Sequence, residues 1–285
     1  MKTNRCLLLL GCLCIVFSGC AGNTASAKRP APVPAMLCGS SADREEFSPA
    51  NMRQANEETS ESEGNALSQS SEQEFSPVEL ILQNPALPNG CEVTSLAMLL
   101  TSAGYPADHV ELYEECLPVR DFTYAWNQRF GPSPEEAYAG DASSSAGGWY
   151  CFEGPIMEAG NAWIEENGGG GRMLSLTGIS QSELEQYVQD GTPVAVWVTI
   201  DYAPPVYADS FSWILPSGEL YIPYNNLHCV VLAGEENGQY RIADPINGWQ
   251  LVDKDAFWNN FDAMGRRAVT VQLDSDSALS SALSQ

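Results

Sequence analysis

Positive charge is scarce in this sequence: 13 Lys and Arg stand against 37 Asp and Glu among 285 residues, a formal net charge of −24. Proteins that grip nucleic acid concentrate basic side chains against phosphate, so that class of partner is excluded. A basic patch on anionic lipid is excluded with it, and any membrane attachment must be covalent or inserted. Histidine is rarer still, with His109 and His228 alone. Two imidazoles so separate in setting do not make a ligand cluster with thiols, so no metal or organic cofactor is expected. The N-terminal apolar run, Cys6 to Phe17, has only twelve residues, whereas spanning a bilayer takes about 20.

What is present is enough for a folded unit. Hydrophobic residues make up 44% of the chain, which supports a sizeable core. The charge is uneven: residues 1–76 carry 6 basic and 9 acidic side chains, leaving a net −21 on residues 77–285. Such a field favours neutral or cationic ligands in a cleft.

Cysteine use divides the chain in the same way. Of nine cysteines, Cys6, Cys12, Cys14 and Cys20 fall in the first twenty residues, and only Cys38, Cys91, Cys116, Cys151 and Cys229 lie beyond. The basic start Met1-Lys2-Thr3-Asn4-Arg5 and the short apolar run read as a secretory signal over residues 1–19. Phe17-Ser18-Gly19-Cys20 resembles a bacterial lipobox, which implies lipid attachment at Cys20; two acyl chains anchor where one is marginal. Residues 20–76 are rich in Ser, Glu, Gln, Asn, Ala and Pro and poor in aromatics. That composition predicts a disordered tether with a reach of roughly 40 Å. The expected location is the outer face of the bacterial membrane.

Beyond the tether, Val78–Leu82 reads as a short strand, and two prolines keep Gln83–Pro88 extended. Asn89 and Glu92 have the spacing of an N-cap pair, opening a helix that stops at Gly104 and sets Cys91 in its first turn. Asp108 and Glu111 repeat the spacing after Pro106. Residues 120–155 look irregular, with a short helix near Glu135–Tyr138. Helices follow over Ile156–Asn167 and from Ser180 to Gly191. Strands are then expected at Val194–Ile200, Tyr207–Ile214, Leu227–Ala233, Gln239–Ala243, Gly248–Val252 and Arg267–Leu273, with a helix over Asp253–Met264. Helices first and strands second indicate an α+β domain with an antiparallel sheet.

His109 sits beside the N-cap Asp108 and reads as a surface residue. His228 opens an apolar strand that turns at Gly234–Gly238 into Tyr240–Asp244. If Glu235 and Gly238 flank the loop, His228 lies opposite Pro245 and beside Asp244; a tighter Asn237-Gly238 turn shifts the pairing by two. An Asp that close fixes the imidazole tautomer and leaves the other ring nitrogen as a base. Alternation sets Val230 and Leu232 on the face of His228 and turns Cys229 away from it, into the core. Cys91 meets a thiol nucleophile's needs, because a helix N-terminus lowers a cysteine pKa. His228 is 137 residues downstream, within the spacing of papain-like enzymes.

Several blocks now carry a family likeness. Gln83, Leu87-Pro88-Asn89-Gly90-Cys91-Glu92-Val93-Thr94-Ser95, Gly131-Pro132-Ser133-Pro134, Ala139-Gly140-Asp141, Trp149-Tyr150-Cys151 and the His228 with Asp244-Pro245 pair resemble the peptidase C39-like family. These are stand-alone bacterial relatives of bacteriocin-processing cysteine peptidases. The resemblance implies a papain-like fold, with N-terminal helices on a C-terminal antiparallel sheet over residues 77–275, and a tail at 276–285. It implies Cys91 as nucleophile, His228 as general base, Asp244 as its orienting group and Gln83 as an oxyanion donor. Asp141-Ala142-Ser143 departs from the expected Asp-Pro-Arg. Cys116 and Cys151 are a candidate disulfide in an oxidising exterior.

The expected activity is a lipid-anchored cysteine hydrolase acting on peptide or amide bonds, with a neutral or cationic peptide as partner. Two other readings remain open at this point: a peptide-holding surface module without turnover, and an amidase or acyl transferase acting on cell-wall or small-molecule amides.

Overall fold

The run Val194-Ala195-Val196-Trp197-Val198-Thr199 is buried at every position, as expected of a strand covered on both faces. The computed structural model describes residues 78–274. The expected signal at 1–19, Cys20, the tether 20–76 with Cys38, and the tail 276–285 lie outside the described residues.

We label the main helices α1 (Cys91–Ser102), α2 (Glu153–Glu166), α3 (Gln181–Gln189) and α4 (Lys254–Ala263). The strands of the main sheet are β1 (Gly171–Ser175), β2 (Val194–Thr199), β3 (Leu227–Glu236), β4 (Gln239–Asp244), β5 (Gly248–Val252) and β6 (Ala268–Leu273). All neighbours pair antiparallel, in the order β5, β4, β3, β2, β6, β1. The α+β architecture with a helix-covered antiparallel sheet agrees with the expectation from sequence.

Alternation along β2 separates two layers of core. Ala195 and Trp197 join Leu96, Leu99 and Ile156 beneath α1 and α2. Val194, Val196 and Val198 join Leu184, Phe257 and Phe261 beneath α3 and α4. Helix α1 is the most enclosed: every residue from Cys91 to Leu100 is buried. Ser95 Oγ donates to the Cys229 carbonyl at 3.2 Å, fixing the start of α1 against the start of β3. Gly160 of α2 leaves room for Met173, whose Sδ would lie 2.6 Å from a Cβ there.

Local signals account for several elements. Ser180 and Glu183 form a reciprocal capping box on α3, and Asp253 caps α4 through Ala256 N–H. Asp108 accepts from Val110 and Glu111 N–H, but the helix it opens, His109–Glu111, passes at once into the wider turn Leu112–Cys116.

Other expectations are corrected. Val78–Leu82 is not a strand, and Gln83–Pro88 turns instead of running extended, with a cis Asn84–Pro85 bond; Leu87 N–H closes that turn on the Gln83 carbonyl at 2.8 Å. Of Tyr207–Ile214 only Trp213–Ile214 is a strand, and Asp209–Phe211 is a 3₁₀ turn, because Asp and Ser in mid-run favour local turns. Glu135–Tyr138 is a turn leading into Tyr138–Ala139, which pairs with Val119–Arg120. The stretch read as irregular also supplies Thr123–Ala125 and Gln128–Phe130 to a small sheet completed by Trp213–Ile214 and Leu220–Tyr221.

Candidate active site

The cleft is reached from two elements whose ends meet: the first residue of α1 and the second of β3. Cys91, His228 and Gln83 line it together with Trp149, Tyr150, Phe211 and Tyr224. Asp244 stands behind His228, buried, with Oδ1 2.9 Å from the His228 Nε2. The structure therefore brings together four of the residues singled out in the sequence, three along the cleft and one behind it.

The register that achieves this is the tighter of the two alternatives. Asn237 and Gly238 both have positive φ, 53° and 79°, the backbone of a two-residue hairpin turn. Pairing begins with Gln239 opposite Glu236, then slips by one residue at Arg241–Ile242, so that Ala243 faces Val231. Continuing that register sets Asp244 level with Val230, and its carboxylate reaches His228 on the diagonal.

Asp244 is held by more than the imidazole. Its Oδ1 also accepts from Ile246 N–H at 2.7 Å and Asn247 N–H at 3.1 Å, and its Oδ2 from the side-chain amides of Asn247 and Gln250, each at 3.2 Å. Burial opposes its charge, but the His228 hydrogen bond and charge, joined by the backbone donors, outweigh that penalty and hold the carboxyl down at about 2. An ionised carboxylate only accepts, so Nε2 carries the proton and Nδ1 is left as the basic nitrogen.

The α1 side departs from expectation. Asn89 does not cap the helix: its Nδ2 donates to the Ser144 carbonyl at 2.6 Å, and no side chain caps α1. Glu92 is instead buried behind Cys91. Its Oε2 accepts from Cys91 Sγ and its Oε1 from Cys151 N–H, each at 3.2 Å. Burial, reinforced by the neighbouring Glu92 carboxylate, pushes the Cys91 thiol well above its ordinary value. The expected lowering by the helix N-terminus is thus overruled by desolvation.

Gln83 is buried, and its Nε2 donates to the Pro88 carbonyl at 2.6 Å. Its backbone N–H donates to the Pro245 carbonyl at 2.9 Å, tying the segment before α1 to the residue after Asp244. The candidate disulfide is not formed: Cys116 and Cys151 are both free thiols. Cys151 is fully buried beside Glu92 and Cys229, whereas Cys116 ends the Leu112–Cys116 turn, half-exposed near Glu166 and Glu115.

The aromatic wall joins the Trp149-Tyr150 block noted in the sequence to Phe211, expected in a strand, and Tyr224, which no sequence signal marked. Trp149 packs on Phe211 with ring centroids 4.4 Å apart, and Tyr150 Oη accepts from Tyr224 N–H at 2.8 Å. The loop carrying Ser145 to Gly148 is closed by Asp141, whose Oδ1 accepts from Ser143 N–H and Oγ. Gly140, with φ +87°, is needed there, because a Cβ would lie 2.1 Å from the Gly147 carbonyl oxygen. His109 is not among the residues lining the cleft.

This chain is similar to several known proteins. The protein YvpB of Bacillus subtilis strain 168, itself uncharacterized, is 30% identical over 203 residues, covering 69% of this chain and 76% of YvpB. A solved C39-like protein from Bacillus anthracis is 29% identical, with a TM-score of 0.59, covering 69% of this chain and 95% of its own. A double-glycine-motif protease solved with its leader peptide is more distant, at 16% identity and a TM-score of 0.37, covering 71% of this chain and 96% of its own. The peptidase C39-like family matches residues 75–269, and the chain belongs to that family.

Proposed function

We propose that the protein is a cysteine hydrolase that cleaves peptide or amide bonds. The observation that carries this reading is the shared cleft of Cys91 and His228, with His228 bonded through Nε2 to the buried, ionised Asp244.

In the proposed reaction the His228 Nδ1 takes the thiol proton and Cys91 Sγ attacks the substrate carbonyl carbon. The Cys91 backbone N–H and the Gln83 side-chain amide stabilise the oxyanion. The carbon–nitrogen bond breaks as the imidazolium returns its proton to the leaving amine, leaving a thioester. Water, deprotonated by the same imidazole, attacks that thioester, releasing the acid and restoring the thiol. Asp244 stabilises the imidazolium and keeps the ring in one tautomer.

The lining adds a substrate class. Among the described residues no Asp, Glu, Lys or Arg lines the cleft, and the rings of Trp149, Tyr150, Phe211 and Tyr224 form much of its wall. Residues flanking the scissile bond are therefore uncharged, while the net −21 of residues 77–285 acts at longer range in favour of neutral or cationic peptides. We further propose that Cys20 carries lipid and holds the domain at the outer face of the membrane.

A peptide library tests the reading. The wild type is expected to release products that Cys91→Ser and His228→Ala do not, and a library left uncut by the wild type overturns it. Products from muropeptides instead of the library would assign the activity to cell-wall amides. One observation favours a second reading, a peptide-holding module without turnover: the resting Cys91 thiol is buried and raised in pKa. Binding of uncut peptides, equal in wild type and Cys91→Ser, would select it.

A further inference from the structure

Two carboxyl groups are buried among the described residues, Glu92 at 1% exposure and Asp244 at 4%. A buried charge requires a partner. Asp244 has His228, but the mechanism above gives Glu92 no task. Glu92 accepts from the Cys91 thiol and from Cys151 N–H, and its own backbone N–H also favours the charged form. The titratable groups that face it are Cys91 on α1, Tyr138 on the adjoining short strand, Cys151 ahead of α2 and Cys229 on β3. All four are acids that become negative on ionising, and none supplies a positive charge.

A carboxylate and a thiolate 3.2 Å apart in a buried site cannot both stay charged without a large penalty. The pair behaves like two carboxylates sharing one site, in which the second ionisation is displaced upward. We propose that Glu92 is a positioning residue for Cys91: when ionised it accepts the thiol proton's hydrogen bond and holds the sulfur protonated, and when neutral it allows the thiolate to form. The inference rests on Cys91 as the reactive thiol of the proposed hydrolase and adds a pH-graded restraint on it. Burial pushes the Glu92 carboxyl up to about 7, so the restraint changes within the neutral range. Glu92 acts through Cys91 and is not a group that touches substrate.

The test uses the full chain and iodoacetamide, following alkylation of the Cys91 peptide by mass spectrometry from pH 5 to 10. Reading that peptide alone keeps the other thiols out of the measurement. In the wild type the logarithm of the rate is expected to climb, flatten near pH 7 as Glu92 ionises, and climb again. Glu92→Gln should remove the shoulder and raise the rate at pH 8 about tenfold, since with Glu92 at about 7 only about a tenth of the wild type still carries the neutral carboxyl there. His228→Ala should keep the shoulder. Superimposable wild-type and Glu92→Gln profiles overturn the proposal, and so does a shoulder that disappears in His228→Ala. Should Glu92→Gln fail to fold, the wild-type and His228→Ala profiles decide alone: a shared shoulder supports the restraint and its absence overturns it. A Cys91 whose rate is indifferent to His228→Ala but raised by Glu92→Gln would sustain this inference while removing the hydrolase reading.

Discussion

The two walls of the cleft treat a buried carboxyl group in opposite ways. On the sheet side Asp244 receives five hydrogen-bond donations, one of them from an imidazole, and is held at about 2. On the helix side Glu92 accepts from the Cys91 thiol and Cys151 N–H, helped by its own backbone N–H but by no charged donor, and is pushed up to about 7. Both are nearly excluded from solvent. The difference teaches that, with the burial penalty acting on both, the number and charge of donors decide whether a carboxyl behind this cleft is an anion at neutral pH. Under the hydrolase reading it also separates two tasks: Asp244 as a fixed negative charge that orients His228, and Glu92 as a titrating neighbour of Cys91.

Breaking the sheet-side network should have the largest effect. Asp244→Asn keeps the size of the side chain but removes the charge that selects the Nε2–H tautomer. Under the hydrolase reading kcat for a cleaved peptide is expected to fall on the order of 10³- to 10⁴-fold, as for loss of an orienting Asp elsewhere. Steady-state kinetics on a cleaved library peptide measure this, and a loss under about tenfold would remove Asp244 from the orienting role.

The helix side should yield next, and in stability. An unfolded Glu ionises near 4.3, so with the folded group at about 7 the native state binds the extra proton. The stabilisation is fully present below about pH 4.3 and is lost as pH rises to 7, by about 3 kcal/mol from this group. Glu92→Gln cannot titrate. Urea unfolding of wild type and variant at pH 4.5 and pH 8 should show the variant gaining about 3 kcal/mol relative to wild type between the two. Equal pH dependence would mean that Glu92 is ionised in the folded protein without penalty.

The contrast between the walls also marks what could be read from sequence. His228 and Asp244 were legible because a hairpin register can be counted: Asn237-Gly238 prescribes its turn type, and one alternative count allowed for it. Only the slip at Arg241–Ile242 escaped, since a bulge leaves no mark in hydrophobic alternation. Cys91 was legible by its place at the start of an apolar helix. Glu92 was misread as a cap partner because its spacing from Asn89 is that of a local bond. The bonds that form are tertiary, with Asn89 drawn to Ser144 and Glu92 to Cys151. Tyr224 left no sequence signal for the same reason, held by a single bridge to the distant Tyr207. The main sheet, apart from the Gly-led edge strand β1, was legible because its strands are long apolar runs with turn residues between them.

The smallest expected effect makes the comparison quantitative. Gln250 gives Asp244 one of its five donations, at 3.2 Å from Oδ2. Gln250→Ala moves Asp244 one step toward the poorly solvated condition of Glu92 while leaving His228 in place. A group with a depressed folded pKa contributes stability above its unfolded value of about 3.9, which is lost as pH falls toward the folded value. With Asp244 held at about 2 in the wild type, that window runs from about pH 4 down to pH 2. Gln250→Ala should raise the folded pKa and reduce stability by about 1 kcal/mol at pH 5. The deficit should shrink below pH 2, where the carboxyl is protonated in both folded and unfolded chains. Chemical denaturation at pH 5 and pH 1.5 measures it. A deficit of the same size at both pH values would assign Gln250 to packing and not to the charge on Asp244.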